Sequence, residues 1–109
     1  MSVTSSPLSS RDKYLRKNYN ITVTEYQILY DAANGCWACG AQPKEGKNLH
    51  VDHNHKTKNV RAILCWACNQ IGRARGPAIT PERLRGLAHV LESGEEEVEA
   101  LIGHNGKGK

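Results

Sequence analysis

Phenylalanine is absent from the chain, methionine occurs once, and aromatic residues make up only 6% of it. Hydrophobic residues reach 39%, and no stretch approaches the roughly 18 apolar residues that a membrane span needs. The Ser/Thr-rich start has no apolar h-region, so no secretory leader is expected. These shortages exclude a large greasy core and a membrane protein. At 109 residues, one domain is the natural count, and a chain this short buries only a modest core. It needs a staple from elsewhere.

Four cysteines offer one: Cys36, Cys39, Cys65 and Cys68. They can make two disulfides or one metal site. Both pairs read Cys-x-x-Cys, so each pair can supply one edge of a tetrahedron. In the reducing cytoplasm expected for a chain without a leader, that spacing favours structural Zn²⁺ over disulfides. A thioredoxin-like redox use would want one pair at the end of a βα unit, not two pairs around a His-rich loop.

Charge is uneven. Residues 1–76 carry 11 Lys/Arg against 5 Asp/Glu, a net of +6, whereas residues 77–109 carry 4 against 6, a net of −2. The basic part holds the cysteines and three of the five histidines. Positive potential around the cysteines is the footprint of a protein that meets phosphates. The run Glu95-Glu96-Glu97 reads as a solvated helix face.

Along the chain, residues 1–9 read as a flexible arm, and Ser10 as the cap of a short helix reaching Tyr19. Thr24 and Gln27 form a capping-box pattern for a second helix that Gly35 ends. Residues 49–53 and 60–64 read as strands around a loop at 54–59, and Cys65 opens a helix running to about Arg73. Gly76-Pro77 breaks the chain. Thr80-Pro81 then starts a helix to residue 93, with Leu84, Leu87, Ala88 and Leu91 at helical spacing. A short acidic helix over 95–102 and a mobile Gly/Lys tail follow. The expected organisation is thus an arm at 1–9, a zinc-stabilised domain at 10–93, and the acidic helix and tail at 94–109.

The segment His50-Val-Asp52-His53-Asn-His55 carries the chemistry, with Asn69 directly after the last cysteine. Asp52 is a hard oxygen ligand suited to Mg²⁺ or Mn²⁺, and Asn69 offers a carbonyl oxygen to the same ion. His53 points to the opposite face of the strand from Asp52, beside the ion without binding it, where a general base belongs. His55 returns to the Asp52 side or enters the loop, near a phosphate or the leaving oxygen. Lys56 and Lys58 of the loop, with Arg73 and Arg75 beyond Asn69, are candidate DNA contacts. His50 and His89 read as strand, packing or surface residues, and His104 as part of the tail. Trp37 and Trp66, at matching places in the two cysteine pairs, read as packing around the zinc, with base stacking the alternative.

The order CWACG, HVDHNHKTKNVRAILC, CWACNQIG resembles the recombination endonuclease VII family of phage nucleases, within the His-Me finger, or ββα-metal, group that includes the HNH endonucleases. The resemblance is densest over 36–72 and extends more weakly over the Tyr14–Gly35 helices. It implies a small α+β fold with a zinc-stapled ββα-metal core and flanking helices. It implies the four cysteines as zinc ligands, Asp52 and Asn69 as the Mg²⁺ pair, His53 as base and His55 as a helper at the phosphate. Arg61 stands where the family commonly has arginine, which suggests a phosphate contact. The implied function is Mg²⁺-dependent cleavage of branched DNA, such as Holliday-junction resolution in phage recombination, in the host bacterial cytoplasm. The alternatives are an HNH nicking or homing-type enzyme on duplex DNA, and a zinc DNA-binding module without catalysis. Two departures stand out. The family's hairpin commonly has glycine where this chain reads Thr57-Lys58-Asn59, with Asn59 the residue that tolerates a left-handed turn. The best-known member is longer and builds an intertwined homodimer from its C-terminal helices, whereas about 40 residues follow Cys68 here.

Overall fold

The computed structural model describes residues 9–71 and 79–105. In chain order they form α1 (Ser10–Tyr19), α2 (Val23–Ala33), β1 (His50–His53), β2 (Val60–Leu64), α3 (Trp66–Ile71) and α4 (Pro81–Ile102). Of the arm expected at 1–9, residues 1–8 lie outside the described residues, as do the Gly76-Pro77 break and the last four residues of the tail, while Ser9 belongs to the first helix as its cap. Arg73 and Arg75 lie outside them too. No helix among the described residues is long and apolar enough to cross a membrane.

The first two helices begin one or two residues earlier than the sequence suggests. Ser9, not Ser10, caps α1 by accepting from the Asp12 amide at 3.0 Å. The capping box of α2 is Thr22 with Glu25, not Thr24 with Gln27. A buried acid explains the shift: Asp12 Oδ1 accepts from the Val23 amide at 2.7 Å, which fixes Val23 as the first residue of α2. That backbone hydrogen bond, with Arg16 beside it, holds the Asp12 carboxyl below its ordinary range. Asn34, in the left-handed conformation, closes α2. At Gly35 a Cβ would stand 2.8 Å from the Ala41 carbonyl, so the turn into the cysteines has room only for glycine.

β1 and β2 pair antiparallel, with His50 opposite Leu64 and Asp52 opposite Ala62. The register slips between Asp52 and His53, because His53 pairs with Val60 and leaves Arg61 as a bulge residue. β2 is almost wholly buried, and its Val60, Ala62, Ile63 and Leu64 join Leu15, Leu29, Val90 and Val98 in one core.

The largest departure lies at the C-terminal end. The two helices expected over 81–93 and 95–102 are one continuous helix of 22 residues, so the division drawn at residue 94 falls inside α4. Gly94 is a contact, not a break. A Cβ there would lie 2.3 Å from the Arg61 carbonyl oxygen, and one at Gly86 would lie 2.0 Å from that of Ala38. The two glycines let α4 lie directly on the first cysteine turn and on β2. Val90, Gly94 and Val98 form the buried line, while Leu84 and Leu91 of the expected stripe are 47% and 62% exposed. Glycine to alanine inside a helix normally gains up to about 1 kcal/mol. Gly94→Ala is expected to do the reverse, losing about 1–3 kcal/mol to overpacking against β2 in urea unfolding. A stabilised variant would show that this contact is slack.

Nor is the segment after α4 a free tail as far as Asn105. Its side chain donates to the carbonyls of Val60 (2.8 Å) and Glu95 (3.0 Å) and accepts from the Val60 amide at 2.9 Å. His104 meets Glu25 of α2 at 2.9 Å, so it ties the chain end to the first helices.

Candidate active site

The cysteines come together from two places. Cys36 and Cys39 lie in the turn after α2, where Cys36 N–H donates to the Ala41 carbonyl and Gly40 N–H to that of Cys36. Cys65 ends β2 and Cys68 lies in α3. A hydrogen bond from Trp37 N–H to the Ile63 carbonyl at 2.9 Å locks the first turn to β2. The four Sγ atoms all lie within 4.8 Å of one another, and none is in a disulfide. Cys39 and Cys65 stand 3.7 Å apart, close to the roughly 3.8 Å edge of a tetrahedron with Zn–S bonds of about 2.3 Å. The amides of Ala38 and Cys68 each point at a sulfur, Cys36 and Cys65 respectively, at 3.4 Å. Burial, with the neighbouring thiols, pushes Cys68 well above the usual thiol range, and burial also raises Cys36. Burial works against the Cys39 thiolate too, yet hydrogen bonds from the Ala41 backbone and the adjacent thiols bring it below its ordinary value. The four sulfurs are close enough to hold one metal ion, and the donor set fits zinc.

The two tryptophans inside the cysteine pairs differ. Trp37 is half-buried and donates from Nε1 to the Leu29 carbonyl at 2.8 Å. Trp66, expected to pack likewise, is 61% exposed, because it opens α3 on the side away from the core.

The strand carrying Asp52 and His53 splits its side chains between two faces. Asp52 and Asn69 line one cavity under α4, together with Arg61 and Leu87. Within it Arg61 holds Asp52 in a two-pronged pair, Nε to Oδ2 at 3.0 Å and Nη2 to Oδ1 at 3.3 Å. The bulge turns Arg61 back across the hairpin toward that carboxylate. On the other face His53 lies against Tyr19 of α1, with ring centroids 5.6 Å apart, and His55 lies over His53 at 4.7 Å. Burial, with His55 nearby, lowers the His53 pKa below its ordinary 6.5, which keeps the imidazole neutral and able to accept a proton. His55, Lys56 and Lys58 are exposed, and Lys58 shares a depression with His53. His50 is exposed at the start of β1, and His89, exposed on α4, meets Glu97 at 2.7 Å. The left-handed residue of the hairpin is Lys58 (φ 70°), not Asn59, whose side chain is committed elsewhere.

That commitment is to Glu95, the first residue of an acidic run whose local pattern suggests a solvated face. Its carboxylate accepts from Asn54 Nδ2 (2.7 Å), Asn59 Nδ2 (2.9 Å) and Thr57 Oγ1 (3.2 Å), so α4 grips the loop that presents His55. Partial burial opposes its charge, but these hydrogen bonds outweigh that and hold the carboxyl below its ordinary 4.5. The grip is therefore present above that value and is released as pH falls through the lower, folded-state value. Glu95→Ala is expected to raise amide hydrogen exchange across residues 54–59 at neutral pH while the core stays protected. Equal exchange in both proteins would show that Glu95 does not order the loop. The signal in the sequence was slight: a glycine inside an amphipathic helix, followed by an acid. Tyr19, the end of α1, also lies on His53, and its hydroxyl is pushed up to about 12 by burial and by Tyr14.

The sequence profile described as recombination endonuclease VII matches residues 12–93. The chain belongs to the recombination endonuclease VII family. The match spans everything from Asp12, which seats α2, to the middle of α4, and takes in the cysteine cluster and the β1–β2–α3 unit. The chain is also similar to the Gene 59 protein of Mycobacterium phage D29, 43% identical over 60 residues, which is 52% of this chain and 36% of that one. The Gene 59 protein of Mycobacterium phage L5 is 43% identical over 60 residues, 52% of this chain and 37% of the relative. The aligned part thus spans little more than a third of these relatives' length. No solved structure matches.

Proposed function

We propose that the chain is a divalent-metal-dependent DNA endonuclease of the His-Me finger type that hydrolyses phosphodiesters in branched DNA. The observation that carries this reading is the β1 strand. It presents Asp52 into the cavity shared with Asn69 and His53 to the opposite face beside Tyr19, in a chain of the endonuclease VII family.

Asp52 and Asn69 would hold the Mg²⁺ or Mn²⁺ ion, since a carboxylate and an amide oxygen facing one cavity form the hard donor set such ions take. When bound, that ion supplies charge stabilisation on the phosphate and the leaving oxygen. His53, neutral and next to Asp52 in sequence, takes the proton of the attacking water as its oxygen closes on phosphorus in line with the leaving group. His55 stacks on His53 and orients at the phosphate. Arg61 balances the Asp52 carboxylate in the resting protein, and if Asp52 held the ion Arg61 would be free to meet substrate phosphate. Lys56 and Lys58 at the hairpin add phosphate contacts, as do Arg73 and Arg75. The zinc is structural: its ligands lock the first cysteine turn, β2 and α3 together, and so keep Asn69 in register with Asp52. Symmetric cuts in two strands need two sites. A homodimer through the 81–102 helix is part of this reading, and sedimentation tests it. The phage source of both relatives supports recombining or replicating DNA in the host cytoplasm as the setting.

The deciding experiment incubates four-way junction, Y-form and linear duplex DNA with the zinc-loaded protein, with and without Mg²⁺. Faster cutting of branched DNA, and only with the ion, is expected. Equal cutting of all three would remove branch selectivity and leave a nicking-type enzyme. Cutting in magnesium-free buffer would overturn the metal mechanism, and binding without cleavage in Mg²⁺ or Mn²⁺ would leave a zinc DNA-binding module.

A further inference from the structure

A groove of about 550 Å³ runs beside the cysteine cluster, bounded by Pro43, Lys44, Lys47, His50 and the exposed Trp66. Its chemistry differs from that of the active-site cavity. No carboxylate lines it among the described residues, and its walls combine apolar surface with three cations, Lys44, Lys47 and Arg83. Trp66 occupies the same place in its cysteine pair as Trp37. Trp37 is used for packing, with its indole N–H bonded to α2, whereas Trp66 leaves 61% of its surface in water.

The groove is continuous with the proposed chemistry. Asn48, Leu49 and His50 line both it and a second depression that reaches Asn69 and Tyr19, and Tyr19 lies on His53. Trp66 and Asn69 are also three residues apart on α3, a spacing that sets side chains on neighbouring turns of one helix face. An indole face, flanking cations and a track to the catalytic histidine together match single-stranded nucleic acid. Bases stack on aromatic rings whatever their sequence, and the backbone follows the positive charge. Duplex DNA keeps its bases stacked on each other and cannot use an indole face this way.

We infer that this groove binds an unpaired nucleotide of the DNA substrate, stacked on Trp66 with its phosphates toward Lys44 and Lys47. The inference rests on the nuclease reading and deepens it. It supplies a way to prefer flap and Y-form DNA, since their single-stranded arms offer unpaired bases and a linear duplex does not.

The test measures binding of a short fluorescent thymidine oligonucleotide and of a linear duplex. The zinc-loaded protein is kept in magnesium-free buffer, so that no cleavage intervenes. Trp66→Ala is expected to lower the ratio of single-strand to duplex affinity by about 5- to 100-fold, the range for one lost base stack, and Trp66→Tyr is expected to restore most of it. Lys44→Ala with Lys47→Ala, outside the cysteine turns, is expected to flatten the salt dependence by about 0.7 per lysine. An unchanged affinity ratio in a zinc-retaining Trp66→Ala protein would overturn the proposal, as would an unchanged salt slope in the lysine pair. Self-association that disappears with Trp66 would assign the groove to a second copy of the chain and overturn it too. Trp66-dependent binding by a protein that cuts no DNA would sink the nuclease reading and leave the groove standing. Cleavage combined with Trp66-independent binding would do the opposite.

Discussion

Cys65→Ser is expected to leave the chain unfolded at room temperature. Structural zinc in small domains contributes roughly 10–16 kcal/mol of apparent binding free energy, as much as the whole stability of an ordinary domain, about 5–15 kcal/mol. This chain has little with which to make up the loss. It contains no phenylalanine, and its largest fully buried side chains are leucine, isoleucine and valine. The Cys65 sulfur stands 3.7 Å from Cys39 and accepts the Cys68 amide, so its loss also loosens the start of α3. Circular dichroism on heating, with zinc content measured in parallel, checks this. Stripping zinc from the wild type with a strong chelator is expected to reproduce the unfolding, and adding zinc back to reverse it. A metal-free protein that melts cooperatively at the wild-type temperature would show that the cluster is incidental to the fold.

His53→Ala is expected to lower the rate of DNA cleavage about 10²- to 10⁴-fold, the usual contribution of a positioned general base, while DNA affinity and melting temperature stay near wild type. The separation follows from where His53 lies. It is half-buried against Tyr19 and His55, outside the leucine and valine core, so its ring contributes little to stability. It also lies on the opposite face of β1 from the Asp52 cavity, so the proposed ion ligands are undisturbed. Single-turnover cleavage of a four-way junction measures the rate, and addition of imidazole is expected to recover part of it. Cleavage at the wild-type rate would remove His53 from the role of base. Loss of zinc or of the fold would mean that the ring is structural.

Much of the site was legible because its residues are close in sequence. Cysteines two residues apart share a turn, consecutive Asp52 and His53 must face apart on a strand, and Asn69 inherits its place from Cys68. The hairpin strands and the helix after Cys65 followed from local pattern in the same way. Helix starts were misplaced where a distant group decided them. Asp12, eleven residues before Val23, accepts its amide and sets where α2 begins, and no local capping pattern records that.

The sequence by itself determined the cysteine cluster, the order of strands and helix around it, and the candidate chemistry, since each depends on spacing within a few residues. Only the tertiary structure decided what α4 does. Read locally, Ser93-Gly94 and three glutamates suggest a break and a solvated run. In the fold, Gly94 lies on the Arg61 carbonyl, Glu95 grips the loop carrying His55, and Asn105 closes on Val60. The fold likewise decided that Arg61 turns to Asp52 and that Trp66, unlike Trp37, stays open to water. These outcomes join residues tens of positions apart, and a contact of that kind is set by which surfaces can approach closely, something periodicity along one chain does not encode.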